Sequence, residues 1–430
     1  MIKDIKKERN INEGNNIVML KRFSFRNCYS FRDKTVFSME AVYAMKDNVN
    51  FVMEIKEGVK CEYLLPVAAI YGKNAGGKSN VIKVLNDAAR NVCQRDLYIQ
   101  NIPFFATSED EVEVFEHKFN FLINNFEYEY YYQSNSFEVL AESLGKRSVG
   151  SEVVFDNIFF RKGEEVTVNK SLGGIRKNVI EQASQNTSAL IVNNAGAMRI
   201  KDCMEIYDWF RHMLSVTNVK GSAERERHLS EFAGKLKDDP TLIDRVSKFI
   251  NKLDPSIKNV KPVLLRVANN DKRYQLELHH SIYESDESVG FPVGWESDGT
   301  KKILELYPVL MDALDNGKPL VFDELDTLLH PLVFRRIVEM FNDTGEGGIN
   351  KKCAQLIFTA HNTIVVNRED LRRDEIHFVD KDEYGCSSSI RLSDMTNEKG
   401  EKIRLDASYD KLYLNGIFGA IPDNFSDATI

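Results

Sequence analysis

Polar and apolar positions change their period several times along the chain, and each change predicts an element. Over residues 18–39 short apolar and aromatic pieces alternate with polar ones, the pattern of a half-buried β-ribbon that opens a sheet. Residues 64–71 form a compact apolar segment that predicts a buried strand. It runs into a glycine-rich turn and then a stretch where Val81, Ile82, Val84 and Leu85 recur at helical spacing. Alternation across residues 112–132, centred on Asn124-Asn125, predicts a hairpin, and strand-like pieces over 137–160 extend it into a β-rich arm. Farther on, Ile206, Trp209, Phe210, Met213 and Leu214 share one helical face, as do Leu242, Val246, Phe249, Ile250 and Leu253 behind Pro240. These stripes are too short for a sustained heptad repeat, so they predict a helical insertion and no long coiled-coil arm. The last third alternates again: an apolar helix (Ile303, Leu304, Leu306, Tyr307, Leu310, Leu314), a strand at 320–322, another helix, and a strand at 356–359. Strands alternating with helices imply an α/β fold with a parallel core sheet.

Length and composition set the scale of that fold. At 430 residues, one core carrying insertions is expected, in two lobes. Residues 1–170 and 285–430 make the discontinuous core with its antiparallel β-rich arm, and residues 171–284 a mainly helical insertion serving as a lid or coupling domain. With 43% hydrophobic and 28% charged residues the chain has enough apolar material to bury a core. No apolar run approaches the roughly 20 residues that span a bilayer, and the first residues are charged, which predicts a cytoplasmic protein without a membrane partner. Cys28, Cys61, Cys93, Cys203, Cys353 and Cys386 lack CxxC or paired spacing, against a zinc site or disulfide framework. The net charge of -8 does not advertise nucleic-acid binding, although a local basic stripe stays open as a reading.

The candidate chemistry starts at Gly72-Lys73-Asn74-Ala75-Gly76-Gly77-Lys78-Ser79, a complete P-loop pattern between an apolar strand and a helix, with Asn80 next in the first helical turn. Glycines let backbone N–H groups wrap phosphates, the helix amino terminus adds positive potential, Lys78 reaches the β- and γ-phosphates, and the Ser79 hydroxyl ligates Mg2+. Downstream, the apolar strand ending at Phe322 delivers Asp323 and Glu324, the first a water-mediated Mg2+ ligand and the second the candidate general base. More than half of the chain separates Lys78 from Asp323, far more than a compact nucleotide switch needs, so a large insertion belongs between them. Ser297-Asp298-Gly299-Thr300 opens the apolar helix before the acidic strand. Ser297 alone reads as a helix cap; its position ahead of Asp323 makes it, with Gly299, a candidate anion site. His361 follows the strand at 356–359, at the sheet edge where ligands of open α/β folds collect, and can donate a hydrogen bond to a γ-phosphate oxygen.

P-loop, SxG turn, acidic strand and histidine in this order resemble the ABC-type ATPase head shared by transport motors, SMC and Rad50-like proteins. Residues 320–331, 355–363, the opening FSFRNCYSF and the ending LYLNGIFGAIP narrow the resemblance to the AAA15/AAA21-type ATPases, which include RloA-like, AbiL-like and PARIS-type ATPases of bacterial phage defence. The resemblance implies a head-to-tail homodimer, or a higher oligomer, in which Ser297 and Gly299 of one copy complete the ATP site held by Lys78, Ser79, Asp323, Glu324 and His361 of another. Asp326 falls where that family has its subunit-communicating loop. The turn here lacks the second glycine of the transport-motor signature, and both Gln94 and Gln100 are open as the glutamine that reaches the metal. The implied function is ATP hydrolysis driving a switch that controls a separate effector, such as a nuclease or toxin, because residues 362–430 are too few for an appended nuclease domain. The alternative is a Rad50- or RecF-like DNA-repair ATPase, and a transporter motor ranks behind it.

Overall fold

A computed structural model describes residues 18–42, 53–57, 60–94, 102–104, 114–169, 174–216, 222–265, 273–345, 347–396 and 409. Gln100, residues 112–113 of the expected hairpin and the ending at 412–422 lie outside them. The chain divides into two compact units: residues up to Val216 with Ala313–Glu324 and from Val338 onward, and Thr217–Asp312 with Leu325–Ile337.

In chain order the elements begin with β1 (Val18–Arg26), β2 (Thr35–Ser38), β3 (Met53–Glu57), β4 (Lys60–Leu64), β5 (Val67–Tyr71) and α1 (Lys78–Cys93). Next come β6 (Phe115–Ile123), β7 (Phe126–Ser134), β8 (Val139–Ser148), β9 (Asp156–Lys162), β10 (Glu165–Val168), α2 (Gly174–Ser184), α3 (Ile191–Ala197), α4 (Lys201–His212) and β11 (Leu214–Val216). Then follow α5 (Ser222–Asp238), α6 (Pro240–Leu253), β12 (Ile257–Leu265), β13 (Arg273–Ser281) and β14 (Ser288–Pro292). The chain continues through α7 (Asp298–Asn316), β15 (Leu320–Phe322), α8 (Pro331–Asn342), β16 (Leu356–Thr359), β17 (Ile376–Lys381) and β18 (Ser387–Arg391).

The first unit carries a six-stranded sheet in the order β11-β15-β16-β5-β17-β18. All its neighbours run parallel except β17 and β18, an antiparallel hairpin. Every residue of β5, β15 and β16 is buried. Such continuous apolar runs are the sequence signature of strands covered on both faces. The second sheet, of seven antiparallel strands in the order β10-β9-β8-β7-β6-β1-β2, instead alternates buried and half-buried positions, as along β6. Its inner face and the parallel sheet share one aromatic-rich core, in which Phe23 stacks on Phe37 at 5.1 Å and Phe119 meets Phe210 of α4 edge-on at 5.0 Å. The Gln355 amide links the two sheets: it donates to Leu20 O (2.9 Å) and Leu65 O (3.2 Å) and accepts from Leu20 N (2.7 Å).

The expected ribbon, hairpin and β-rich arm appear as β1–β2, β6–β7 and β8–β10. One expectation shifts. Met213 and Leu214 do not continue the α4 face, because Met213 turns extended and Leu214–Val216 leaves the helix to pair with β15 as an edge strand. The backbone hydrogen bonds offered by β15 outweigh one more helical turn. In the second unit α5 and α6 pack on the three-stranded sheet β12-β13-β14, burying Phe232, Leu236, Val246, Ile250, Leu276 and Leu278. Helices and strands therefore share the stretch read as mainly helical, while α2, α3 and α4 build the core of the first unit. Among the described residues no helix is long and apolar enough to cross a membrane, and Cys28, Cys93, Cys203, Cys353 and Cys386 are free thiols.

Candidate functional site

The phosphate loop is shaped by its packing against the β17–β18 hairpin. Gly72 follows β5 with φ +155°, and a Cβ there would lie 2.0 Å from the Val379 carbonyl oxygen, so only glycine lets the loop turn so close to β17. Gly77 has φ +113°, and its Cβ would meet the Ser387 hydroxyl at 2.5 Å. Ala75 takes a left-handed φ of 62° at the loop's crest. Lys78 then opens α1, whose first turn holds no acidic residue and no side-chain cap, so no carboxylate offsets the positive potential of its amino terminus there. The Lys78 ammonium is folded onto the loop, donating to Gly72 O (2.8 Å) and Lys73 O (3.0 Å). Carbonyl oxygens of the loop hold it at the start of the helix.

The parallel register then aligns the strand ends. Phe322 of β15 lies opposite Phe358 of β16, and Thr359 opposite Ile70 of β5, so Asp323, Thr359 and the start of the loop share one sheet edge. There the Ser79 hydroxyl donates to Asp323 Oδ1 (3.0 Å) and the Thr359 hydroxyl donates to the same oxygen (2.7 Å). Thr359 Oγ1 also accepts the Glu324 N–H at 2.7 Å. Glu324 itself sits at a left-handed φ of 55°, a conformation costing a non-glycine residue about 1–2 kcal/mol. His361 is exposed just beyond β16, and the carbonyl of its neighbour Asn362 accepts the Tyr71 hydroxyl at 3.0 Å. Ser79 and Asp323 present hard oxygen donors side by side, a set that fits Mg2+ shared with phosphate oxygens and water.

Side chains that the sequence reading passed over brace this edge. Ser387 Oγ donates to Gly76 O (2.7 Å) and stands 2.7 Å from Ser30 Oγ, which also accepts the Asn80 amide at 2.8 Å. Lys73 pairs with Asp380 at 2.7 Å. Thr359, Ser30 and Ser387 were hidden because their partners lie on strands distant in sequence; only the strand order brings them together. Nearby, burial pushes the Asp87 carboxyl up although it accepts the Tyr29 hydroxyl, and burial also pushes the Tyr29 phenol up. Gln94 is exposed and closes α1 through its backbone N–H to Arg90 O (2.8 Å).

Ser297, Gly299 and Asp326 belong to the second unit. Ser297 caps α7: its hydroxyl accepts the Thr300 N–H at 3.1 Å and lies 2.9 Å from the Thr300 hydroxyl. The Asp326 carbonyl accepts the Leu329 N–H at 3.2 Å, and a Cβ at Gly299 would lie 3.4 Å from Leu328 O, so the exposed turn and the segment after the acidic pair touch. The cap reading and the anion-site reading of Ser297 describe the same helix start.

A family model described as "AAA domain, putative AbiEii toxin, Type IV TA system" matches residues 67–367, a span holding the loop, the acidic pair and His361. The chain belongs to this AAA_21 family. Membership places it among ATPases that bind ATP and generally use Mg2+. Among curated proteins none matches the chain. Among solved structures, "Structure of the recombination mediator protein RecF-ATPrS in RecFOR pathway" matches at 11% identity and a TM-score of 0.35, covering 87% of this AAA_21 chain and 99% of that one.

Proposed function

We propose that the protein hydrolyses ATP to ADP and phosphate and uses the cycle as a switch over a separate effector protein, in antiphage or abortive-infection defence. The observation that carries the chemistry is the cluster of Ser79, Asp323 and Thr359, with the Ser79–Asp323 contact at 3.0 Å. On this reading Lys78 exchanges the loop carbonyls for β- and γ-phosphate oxygens as ATP enters. Ser79 and Asp323 would hold Mg2+, which would supply positive charge against that of the phosphates. Glu324 accepts a proton from the attacking water, and His361 donates a hydrogen bond to the γ-phosphate. Ser297, Gly299 and Asp326 act from a second copy, closing the site in a homodimer. The family description, which names a putative toxin and a toxin–antitoxin system, supports the defence setting, and the effector is proposed to be a nuclease or toxin.

The test is Glu324→Gln. The variant should bind ATP as wild type does while phosphate release falls about a hundredfold or more, the usual contribution of a positioned base. Release at the wild-type rate would remove Glu324 from this role.

A further inference from the structure

Within the second unit, Ser297 follows directly on a joint in the chain. The 3-10 helix Val293–Trp295 ends at Glu296, whose backbone is extended (φ -71°, ψ 162°), and α7 starts at Asp298. Main-chain hydrogen bonds flank this joint, from Glu296 N to Val293 O (3.1 Å) and from Lys301 N to Ser297 O (3.0 Å). What ties the joint itself to the rest of the unit is a side chain. Glu296 Oε1 lies 2.8 Å from Nε2 of His280 on β13, and the two side chains are only 11% and 22% exposed. A carboxylate accepts, so Nε2 is the donor.

The His280 ring has little freedom of its own. It stands on the central strand of the three-stranded sheet, opposite Ile257 of β12 and Val289 of β14. Its centroid is 5.6 Å from that of Phe291, and Nδ1 lies 3.4 Å from the Ser256 hydroxyl, which donates to Asp254 Oδ1 at 2.6 Å. Phe291 also meets the ring of Trp295 at 5.8 Å, so the sheet touches two consecutive residues on the approach to Ser297. The other flank is held less firmly. Arg225 of α5 stands 3.9 Å from Asp298, whose side chain is 69% exposed. A long pair in solvent contributes little, whereas a short, mostly buried bond to a carboxylate fixes both of its members.

We propose that His280 is a positioning residue for the ATP site of a second copy: through Glu296 it aims the Ser297 turn, and the sheet β12-β13-β14 sets the angle at which that turn meets the phosphates. The proposal rests on Ser297 serving the loop of another copy, as put forward above. The test is turnover by the full chain. His280→Ala should lower kcat roughly tenfold or more, since a positioning group displaced by about 1 Å can cost on the order of a hundredfold. His280→Gln, whose amide nitrogen reaches the place of Nε2, should restore most of the rate. Mixed in equal amounts with Lys78→Ala, His280→Ala should regain up to about a quarter of wild-type turnover, because one site of each mixed dimer joins a sound loop to a sound turn. Mixed with Ser297→Arg it should regain nothing, because every turn is then faulty; a general loss of structure would not distinguish the two mixtures. Glu296→Met removes the same bond from its other end and should behave as His280→Ala does, which decides the matter if His280→Ala does not fold. A wild-type kcat in these variants, a His280→Gln protein as slow as His280→Ala, or no recovery with Lys78→Ala would overturn the positioning role. Those outcomes leave the shared site standing provided that Lys78→Ala and Ser297→Arg complement each other; if those two do not, the shared site and this proposal fall together.

Discussion

At the scale of single residues, Thr359 does more than its anonymity in the sequence suggests. One hydroxyl donates to Asp323 and accepts from the backbone of Glu324, fixing the Asp323 carboxylate and the Glu324 main chain relative to the sheet. Thr359→Val keeps the shape and removes both bonds. It should lower stability by about 1–3 kcal/mol, because a buried N–H and a carboxylate lose a partner, and it should raise the Mg2+ concentration needed for half-maximal turnover. Denaturant unfolding and a Mg2+ titration of ATPase rate check both; an unchanged metal requirement would confine Thr359 to a structural role. Lys78, Ser79, Asp323 and Glu324 were legible in the sequence because each belongs to a contiguous motif flanked by an unmistakable strand or helix. Thr359 was not, since it matters only as the neighbour of Asp323 across β15 and β16, and a single sequence does not state strand order. The same holds for Ser387 and Ser30, which meet across almost the whole chain.

At the scale of elements, β17 joins the site to the core. His377, opposite Ile70 on β5, is buried against Phe37 with ring centroids 5.0 Å apart. Burial, reinforced by the Arg391 charge and opposed by Asp394, lowers its pKa from the ordinary 6.5 to about 3. In the unfolded chain the ring takes a proton near pH 6.5; in the folded chain it does not until about pH 3. Between those values the unfolded state binds more protons, so this contribution is complete above pH 6.5 and is lost progressively as pH falls toward 3. His117 acts in the same sense, and the buried Glu375 carboxyl, pushed up mainly by burial, in the opposite one. A comparison with His377→Gln isolates the single group. The stability advantage of wild type over that variant should shrink by about 2 kcal/mol between pH 7 and pH 5, measured by urea unfolding; a constant difference would mean that His377 takes up its proton in the fold as readily as in the unfolded chain. Most elements were readable because their apolar periods are unambiguous. β11 was not: three residues carry too little pattern to oppose the helical stripe before them, and only pairing with β15 decides their state.

At the scale of the whole molecule, the proposed reading needs the loop of one copy and the Ser297 turn of another. The surface of the second unit is suited to a partner, because Trp295, Leu328 and Leu332 are exposed at 76%, 51% and 61% in the segments that carry Ser297 and follow Glu324. Covering exposed apolar side chains in these segments with a second copy would be favourable. A Lys78→Ala subunit loses the ammonium that grips ATP but still presents an intact turn, whereas a Ser297→Arg subunit keeps its loop and presents a blocked one. Each variant alone should be inactive. In a mixed dimer one site joins both defects and the other joins the intact loop to the intact turn. An equal, randomly paired mixture should therefore recover no more than about a quarter of wild-type turnover, since half of the dimers are mixed and each has one competent site. Phosphate release from mixtures whose mixed dimers are verified by native mass measurement makes the decision. Full recovery would place Ser297 outside the shared site, and complete silence would mean that the turn of one copy does not serve the loop of the other.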